Sequence, residues 1–102
     1  MRDERRNDER FNINLPVKWD GMAGTHEAHL DDISMGGCFV NTRGRLDVGE
    51  VVTIEVRLLS GDWLQLRGEV TSYQPGIGFG LSFSFLTEEE EEELRGLMSD
   101  ML

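Results

Sequence analysis

The sequence has 102 residues, a formal net charge of −10 and a hydrophobic content of 38%. This length has room for one globular domain with a modest core and excludes a second domain. The negative charge argues against DNA or RNA as a partner, because proteins bind these polyanions through many lysine and arginine contacts to phosphates. No stretch approaches the roughly 20 apolar residues of a membrane span, and the polar N-terminus does not resemble a signal peptide, so a cytoplasmic location is expected.

The first residues of the chain are polar and follow no periodic pattern. Residues 1–11 are therefore predicted to form a flexible arm, in which four arginines balance four carboxylates. Beyond the arm, Ile13, Leu15 and Val17 occupy every second position, which predicts a first strand. Pro16 within it favours the edge of a sheet, because proline has no amide proton to donate to a neighbouring strand.

Alternating hydrophobic positions and glycine-containing turns predict five further strands. Residues 25–33 form the second strand, and Gly36 and Gly37 turn the chain into a short third strand over residues 38–41. The next two strands should pair as a hairpin, and their inward positions are Val52, Ile54, Val56, Leu58, Leu64, Leu66 and Val70. The last strand has an apolar face that is expected to dominate the core, made of Ile77, Phe79, Leu81, Phe83 and Phe85.

A helix is predicted at about residues 88–101. Thr87 followed by Glu90 is a capping-box pattern, and the glutamates at residues 88–93 suit the positive end of a helix dipole. Leu94, Leu97, Met98 and Met101 recur at helical spacing. This stripe is expected either to close one mouth of a strand-rich barrel or to pair two chains as a homo-oligomer.

Two short motifs hold the residues that are expected to bind a ligand. Arg6 and Arg10 stand four positions apart in the arm, and Asp32, Ser34 and Gly37 lie within Asp-Ile-Ser-Met-Gly-Gly. Arginine offers a planar set of donors that pairs with a phosphate or with guanine O6 and N7, and a carboxylate can accept from guanine N1 and N2. The hydroxyl and the glycine backbone add polar groups that a ligand can approach closely. Together these groups suit an anionic guanine nucleotide.

Each motif also has a simpler interpretation. Arginines near a chain terminus are commonly solvated charges, and Asp-Ile-Ser can form a turn through hydrogen bonds between its side chains and the backbone. Either motif by itself favours the simpler interpretation, whereas their joint occurrence favours nucleotide binding.

The two motifs together make the chain resemble the PilZ domain family, whose members bind the bacterial second messenger cyclic di-GMP. That family has an RxxxR motif on an N-terminal arm and a [D/N]xSxxG motif on an early strand, and both are present here in the expected order. The run Gly-Ile-Gly-Phe-Gly-Leu-Ser-Phe at residues 76–83 is similar to the family's glycine-spaced strand, and a helix follows it as the family's does. The resemblance spans nearly the whole chain.

The resemblance implies an all-β fold with a C-terminal helix, the six-stranded antiparallel split β-barrel of PilZ domains, over residues 12–102. It also implies a receptor that binds cyclic di-GMP, changes the conformation of its arm and signals in trans to an unidentified protein. An arginine before the RxxxR motif favours a stacked ligand pair in this family, and Arg5 stands there, so two ligands per domain are expected. The predicted ligand-binding residues are Arg5, Arg6, Arg10, Asp32, Ser34, Gly36 and Gly37.

An alternative of a different class is a PilZ-like module that binds a protein and no nucleotide. No pattern predicts an enzyme, a metal site or a cofactor other than the ligand. His26 and His29 lie three positions apart in a predicted strand, so they should face opposite ways, unlike the zinc-binding pair four apart on a helix. Cys38, the only cysteine, is interpreted as a small packed residue rather than a nucleophile. The glutamate run is interpreted as a solvated helix face rather than a calcium site.

Overall fold

The computed structural model describes residues 9–22 and 24–101. These residues form six strands and one helix in chain order: β1 (Phe11–Gly21), β2 (Gly24–Ile33), β3 (Gly37–Asn41), β4 (Val51–Arg57), β5 (Trp63–Gln74), β6 (Gly78–Phe83) and α1 (Glu88–Asp100). Every strand pair is antiparallel, and the order β1-β2-β3-β6-β5-β4 closes into a barrel. The predicted fold class, a six-stranded antiparallel barrel with a C-terminal helix, is confirmed.

Strand β1 begins at Phe11, the last residue of the predicted arm. Phe11 pairs with Ile33 of β2 and is therefore part of the barrel. Of the rest of the predicted arm, the structure describes only Glu9 and Arg10. Residues 1–8 lie outside the described part of the chain. The pairing of β1 with β4 runs from Val17 to Asp20, so Pro16 stands just beyond this ladder, as expected for a residue with no amide proton.

The barrel interior is filled by every second residue of its strands. The inward positions predicted for β4 and β5 are confirmed, since Val52, Ile54, Val56, Leu64, Leu66 and Val70 are all buried. Leu58 lies after the end of β4 and is only partly buried. Alternation is reliable within these strands because neighbouring side chains point to opposite faces of a sheet.

The largest buried side chain is Trp19 of β1, which the sequence analysis did not single out. Its ring stacks on His26 at a centroid distance of 4.3 Å and meets Phe79 edge-on at 5.3 Å. Its indole Nε1 donates a hydrogen bond to Thr42 Oγ1 at 3.1 Å, which satisfies the one polar atom of the side chain. The core is therefore centred on Trp19 and Phe79 together.

The prediction that five residues of the last strand dominate the core is wrong for three of them. Phe79 and Leu81 are buried, but Phe83 is only partly buried, and Ile77 and Phe85 are 54% and 74% exposed. Ile77 belongs to the turn before β6, where its amide donates to the Gln74 carbonyl at 2.9 Å. Phe85 follows the end of β6 and has a φ of 59°, so the two-residue alternation no longer applies to it.

Helix α1 begins at the predicted capping box. The Thr87 side chain accepts from the Glu90 amide, and the Glu90 carboxylate accepts from the Thr87 amide, both at 3.0 Å. Leu94, Leu97 and Met98 are buried within the chain, so the stripe closes the barrel. Pairing of two chains through this helix stays a prediction. Among the described residues, no helix has the length and apolar character needed to cross a membrane.

Candidate functional site

Four of the predicted ligand-binding residues line one depression on the barrel surface. It has a volume of about 360 Å³, and we call it the corner pocket; its lining residues are Arg10, Ser34, Gly36, Gly37, Thr71, Leu81 and Ser82. Arg10 just before β1, the turn between β2 and β3, and strands β5 and β6 each contribute a wall. The barrel thus brings together two motifs that are more than 20 positions apart in the sequence.

Arg10 and Asp32 form an ion pair at the edge of the corner pocket. Arg10 Nη1 donates to Asp32 Oδ1 at 2.6 Å, and the two side chains are 52% and 24% exposed. Asn12, two positions after Arg10, pairs with Asp32 across β1 and β2, and this pairing brings Arg10 close to Asp32. A guanidinium has five N–H donors, so Arg10 can hold this carboxylate and a phosphate oxygen at the same time.

Ser34 holds the turn between β2 and β3. Its buried hydroxyl accepts hydrogen bonds from the amides of Gly36 and Gly37 at 3.2 Å each, and its own amide donates to the Gly37 carbonyl at 2.8 Å. This arrangement is the turn device considered as the simpler interpretation of the second motif. The hydroxyl therefore shapes the pocket by fixing the two glycines that line it.

Gly37 is required by the close approach of two strands. It pairs with Ser82 of β6, and a Cβ atom added at Gly37 would lie 2.2 Å from the Leu81 carbonyl oxygen. Gly36 is exposed, and its carbonyl accepts from the Phe83 amide at 2.9 Å. The two glycines thus have separate roles, since Gly37 is packed between strands whereas Gly36 faces the open side of the corner pocket.

Three lining residues were missed by the sequence analysis, namely Thr71, Leu81 and Ser82. Thr71 lies where the pairing of β5 with β6 shifts register between Val70 and Ser72. Ser82 is opposite Gly37 in β6. Neither hydroxyl belongs to a motif, and only the strand pairing places them beside the second motif. Of the other three predicted ligand-binding residues, Asp32 does not line the pocket but pairs with Arg10 at its edge, and Arg5 and Arg6 lie outside the described residues.

Cys38 follows Gly37 and is fully enclosed. Burial raises the pKa of its thiol far above the ordinary value, the Asp32 carboxylate raises this pKa further, and the Arg10 guanidinium lowers it. A protonated, enclosed thiol is a poor nucleophile. The interpretation of Cys38 as a packed residue is therefore confirmed.

The two histidines face opposite sides of β2, as predicted. His26 is partly buried against Trp19, whereas His29 is exposed on the outer face of the barrel. Within residues 9–22 and 24–101, no three histidine, cysteine or carboxylate residues cluster in a way that would hold a metal ion.

A second depression, of about 540 Å³, lies on the outer face of β1, β2, β4 and β5. It contains Trp63, whose ring has the Lys18 ammonium at 4.9 Å and the Arg57 guanidinium at 5.2 Å from its centroid. Cations and an aromatic ring can attract a nucleotide, but neither motif contributes to this face. It serves below as the competing site.

Comparisons with known proteins agree with the fold and with the predicted family. The PilZ domain family profile matches residues 4–100. The structure is similar to the PilZ domain of YcgR from Escherichia coli with c-di-GMP, at 16% identity and a TM-score of 0.78, covering 91% of this chain and 88% of that one. It is also similar to the PilZ domain of CeSA from a cellulose-synthesizing bacterium, at 22% identity and a TM-score of 0.71, covering 89% and 96%.

A third similar structure is the complex of MrkH from K. pneumonia with c-di-GMP, at 15% identity and a TM-score of 0.72. The match covers 89% of this chain and 48% of MrkH. No curated protein matches the sequence significantly. Because the family profile covers nearly the entire sequence, the chain belongs to the PilZ domain family, whose members are binding and regulatory modules rather than enzymes.

Proposed function

We propose that this chain is a cytoplasmic receptor for cyclic di-GMP, which binds in the corner pocket and passes the signal in trans to a protein partner. The observation that carries the proposal is the Arg10–Asp32 pair, held at 2.6 Å beside the exposed Gly36. This pair offers a phosphate-binding cation next to a guanine-binding carboxylate. Family membership supports the choice of ligand, as do the c-di-GMP complexes of the YcgR PilZ domain and of MrkH.

Asp32 and the residues that line the corner pocket have distinct tasks in this proposal. Arg10 binds a phosphate or the O6 and N7 edge of guanine, and Asp32 accepts from guanine N1 and N2. Gly36 offers backbone that the ligand can approach, while Ser34 and Gly37 position that backbone from within the barrel. Thr71 and Ser82 add hydroxyl groups on the opposite wall. The ligand contacts thus come from every element that meets at the corner.

The size of the corner pocket supports a contribution from the arm. A volume of about 360 Å³ is near the lower end of the roughly 300–1,000 Å³ typical of small-ligand sites. Arg5 and Arg6 supply the remaining contacts in this proposal, so that ligand binding changes the conformation of the arm. Fixing one residue's backbone costs about 1–2 kcal/mol, and a hydrogen bond to a charged group contributes about 1.5–3 kcal/mol. Three arginines therefore offset the ordering of only a short segment, from Arg5 to Arg10.

Isothermal titration calorimetry with cyclic di-GMP tests the proposal. The unmodified chain should bind with a Kd of about 1 µM or tighter, equivalent to roughly −8 kcal/mol. Arg10→Ala and Asp32→Ala should each weaken binding by about tenfold or more, because each removes a charged partner. Arg43→Ala and Asp31→Ala are matched controls, since both residues are exposed, and neither lines the corner pocket nor belongs to the Arg10–Asp32 ion pair.

Two results would contradict the proposal. Absence of binding heat in the unmodified chain would favour the alternative, a protein-interaction module that uses no nucleotide. Equal losses in the matched controls and in the pocket variants would place the ligand elsewhere. The same titration measures stoichiometry: two ligands per chain agree with the position of Arg5, and one ligand per chain removes that part of the proposal.

A further inference from the structure

A third depression, a groove, lies between helix α1 and the first residues of β1. Its volume is about 330 Å³, and its walls are mostly apolar: Ile13 and Leu15 from β1, Leu58 after β4, and Leu97 and Met101 from the end of α1. We call it the helix groove. It is separate from the corner pocket, since the two share no lining residue.

The rim of the helix groove is acidic and exposed. Glu93 and Asp100 line it, and Leu59, at 91% exposure, stands beside them. Asp100 occupies the last turn of α1, where the helix dipole is negative and no basic side chain is present. A carboxylate there is unfavourable within the chain itself. A cation supplied by another molecule would interact favourably with both the carboxylate and the helix end.

Strand β1 connects the helix groove to the corner pocket. Asn12 pairs with Asp32 and Leu15 pairs with Leu30, so two residues of β1, Ile13 and Asn14, stand opposite one residue of β2. This arrangement is a β-bulge, in which the extra residue has no regular ladder partner. Ile13 lines the helix groove and is three positions from Arg10. The segment from Arg10 to Ile13 therefore links a residue of the corner pocket to a wall of the helix groove.

We propose that the helix groove is the output surface and that it binds a basic amphipathic helix of a partner protein. Apolar side chains of the partner would occupy the groove, and its lysines or arginines would face Glu93 and Asp100. A second copy of this chain fits poorly, because its α1 would bring the glutamates of residues 88–93 against an acidic rim. The regulation of this groove by cyclic di-GMP rests on the proposed function, whereas the groove's preference for a basic helix does not.

Fluorescence anisotropy with two labelled synthetic peptides tests the surface without nucleotide. Both peptides are about 14 residues long with leucines at helical spacing, and the other positions are lysine in one and glutamate in the other. The lysine peptide should bind about tenfold more tightly than the glutamate peptide. Equal binding of the two, or binding of neither, would overturn the proposal.

Gly96→Leu is the variant that fills the groove. Gly96 lines it, and a Cβ added there meets no atom within 4 Å, so we expect the leucine side chain to extend into the groove without disturbing the backbone. It should weaken binding of the lysine peptide by about tenfold. Ser99→Leu adds the same side chain at an exposed helix position outside the groove and should leave binding unchanged. Equal effects of the two variants would overturn the proposal.

The acidic rim has its own test. Glu93→Gln combined with Asp100→Asn should weaken binding of the lysine peptide several-fold, whereas Glu92→Gln, exposed and outside the groove, should not.

Sedimentation of the chain by itself tests whether the groove binds a second copy of this chain. The chain should sediment as a monomer. A dimer that Gly96→Leu dissociates would mean that the groove binds a second copy, which would overturn the proposal.

Regulation is measured by repeating the anisotropy titration with saturating cyclic di-GMP. The nucleotide should change the Kd of the lysine peptide by about threefold or more, and Arg10→Ala should abolish this change. An unchanged Kd despite calorimetric binding of nucleotide would overturn the regulatory claim alone. If calorimetry shows no nucleotide binding, the proposed function fails, while the peptide titrations still decide whether the groove binds a basic helix.

Discussion

The two parts of the corner pocket are held by different forces. The turn of residues 34–37 is fixed by hydrogen bonds around the buried Ser34 and by contact of Gly37 with β6. Arg10 is half exposed and is joined to the barrel by its ion pair with Asp32. Exposed ion pairs contribute about 0–1 kcal/mol, so Arg10 can change partner at little cost, whereas the turn cannot change without disturbing the barrel. The turn thus fixes the shape of the corner pocket, and Arg10 is the part that can change its bonding when a ligand binds.

Gly37→Ala should break the turn and have the largest effect. The added Cβ would lie 2.2 Å from the Leu81 carbonyl oxygen, a backbone atom that cannot rotate away. We expect a loss of about 3 kcal/mol in the free energy of unfolding and a Tm lower by roughly 10 °C or more. Thermal denaturation followed by circular dichroism measures both.

Gly96→Ala is the matched control for this substitution. A Cβ at Gly96 meets nothing within 4 Å, and alanine favours a helix over glycine by about 1 kcal/mol, so this variant should be more stable than the parent. A Gly37→Ala protein that melts together with the parent would show that β3 and β6 do not approach this closely.

Arg10→Ala should affect ligand affinity and leave stability nearly unchanged. Loss of a charge-assisted bond predicts cyclic di-GMP affinity about 10–100-fold weaker, with a change in unfolding free energy under about 1 kcal/mol. Arg10→Lys keeps the charge but not the planar set of donors, so its affinity should fall between that of the unmodified chain and that of Arg10→Ala. Calorimetry and thermal denaturation of the same preparations separate these effects. A Tm loss as large as that of Gly37→Ala would contradict the distinction between a turn that stabilises the barrel and an arginine that binds the ligand.

Ser34→Ala should weaken the turn by a smaller amount than Gly37→Ala. It leaves the amides of Gly36 and Gly37 without their acceptor, at a cost of about 1–2 kcal/mol. Urea denaturation measures this loss, and Ser99→Ala on the exposed face of α1 is the control that should change little. If both serine variants unfold at the same urea concentration as the parent, the hydroxyl does not hold the turn.

Cys38 reports on the turn without any substitution. Because its pKa is raised in the folded chain, the native thiol should resist iodoacetamide at a pH of about 8.5, where an unfolded thiol is half ionised. The folded state then binds more protons than the unfolded state above that pH, so stability should fall as the pH rises further. Mass spectrometry after alkylation, with and without denaturant, checks this. Equal labelling under both conditions would mean that the corner opens in the native state.

Local patterns predicted most of the fold. The spacing of Val52, Ile54 and Val56 and the capping box at Thr87 each depend on neighbours within a few positions, and both were confirmed. The pattern failed at Ile77 and Phe85, where the strand had not begun or had already ended. Sequence alternation alone does not give strand ends, since these depend on which backbone groups find partners across the sheet.

The candidate site was predicted only where motifs contain it. Asp32, Ser34 and Gly37 belong to a recognisable pattern, but the structure gives the Ser34 hydroxyl a turn role that the motif itself does not distinguish from ligand contact. Thr71 and Ser82 were missed because they join the pocket through the register of β5, β6 and β3. Such pairings are long-range properties that the sequence around each residue does not contain.

The most direct test of this account is a crystal structure of the chain with cyclic di-GMP. We predict a guanine against Asp32 and the Gly36 backbone, with Arg10 bonded to the nucleotide and the turn of residues 34–37 unchanged. A nucleotide stacked on Trp63 in the depression on the outer face of β1, β2, β4 and β5, with Arg10 still bonded only to Asp32, would contradict the account.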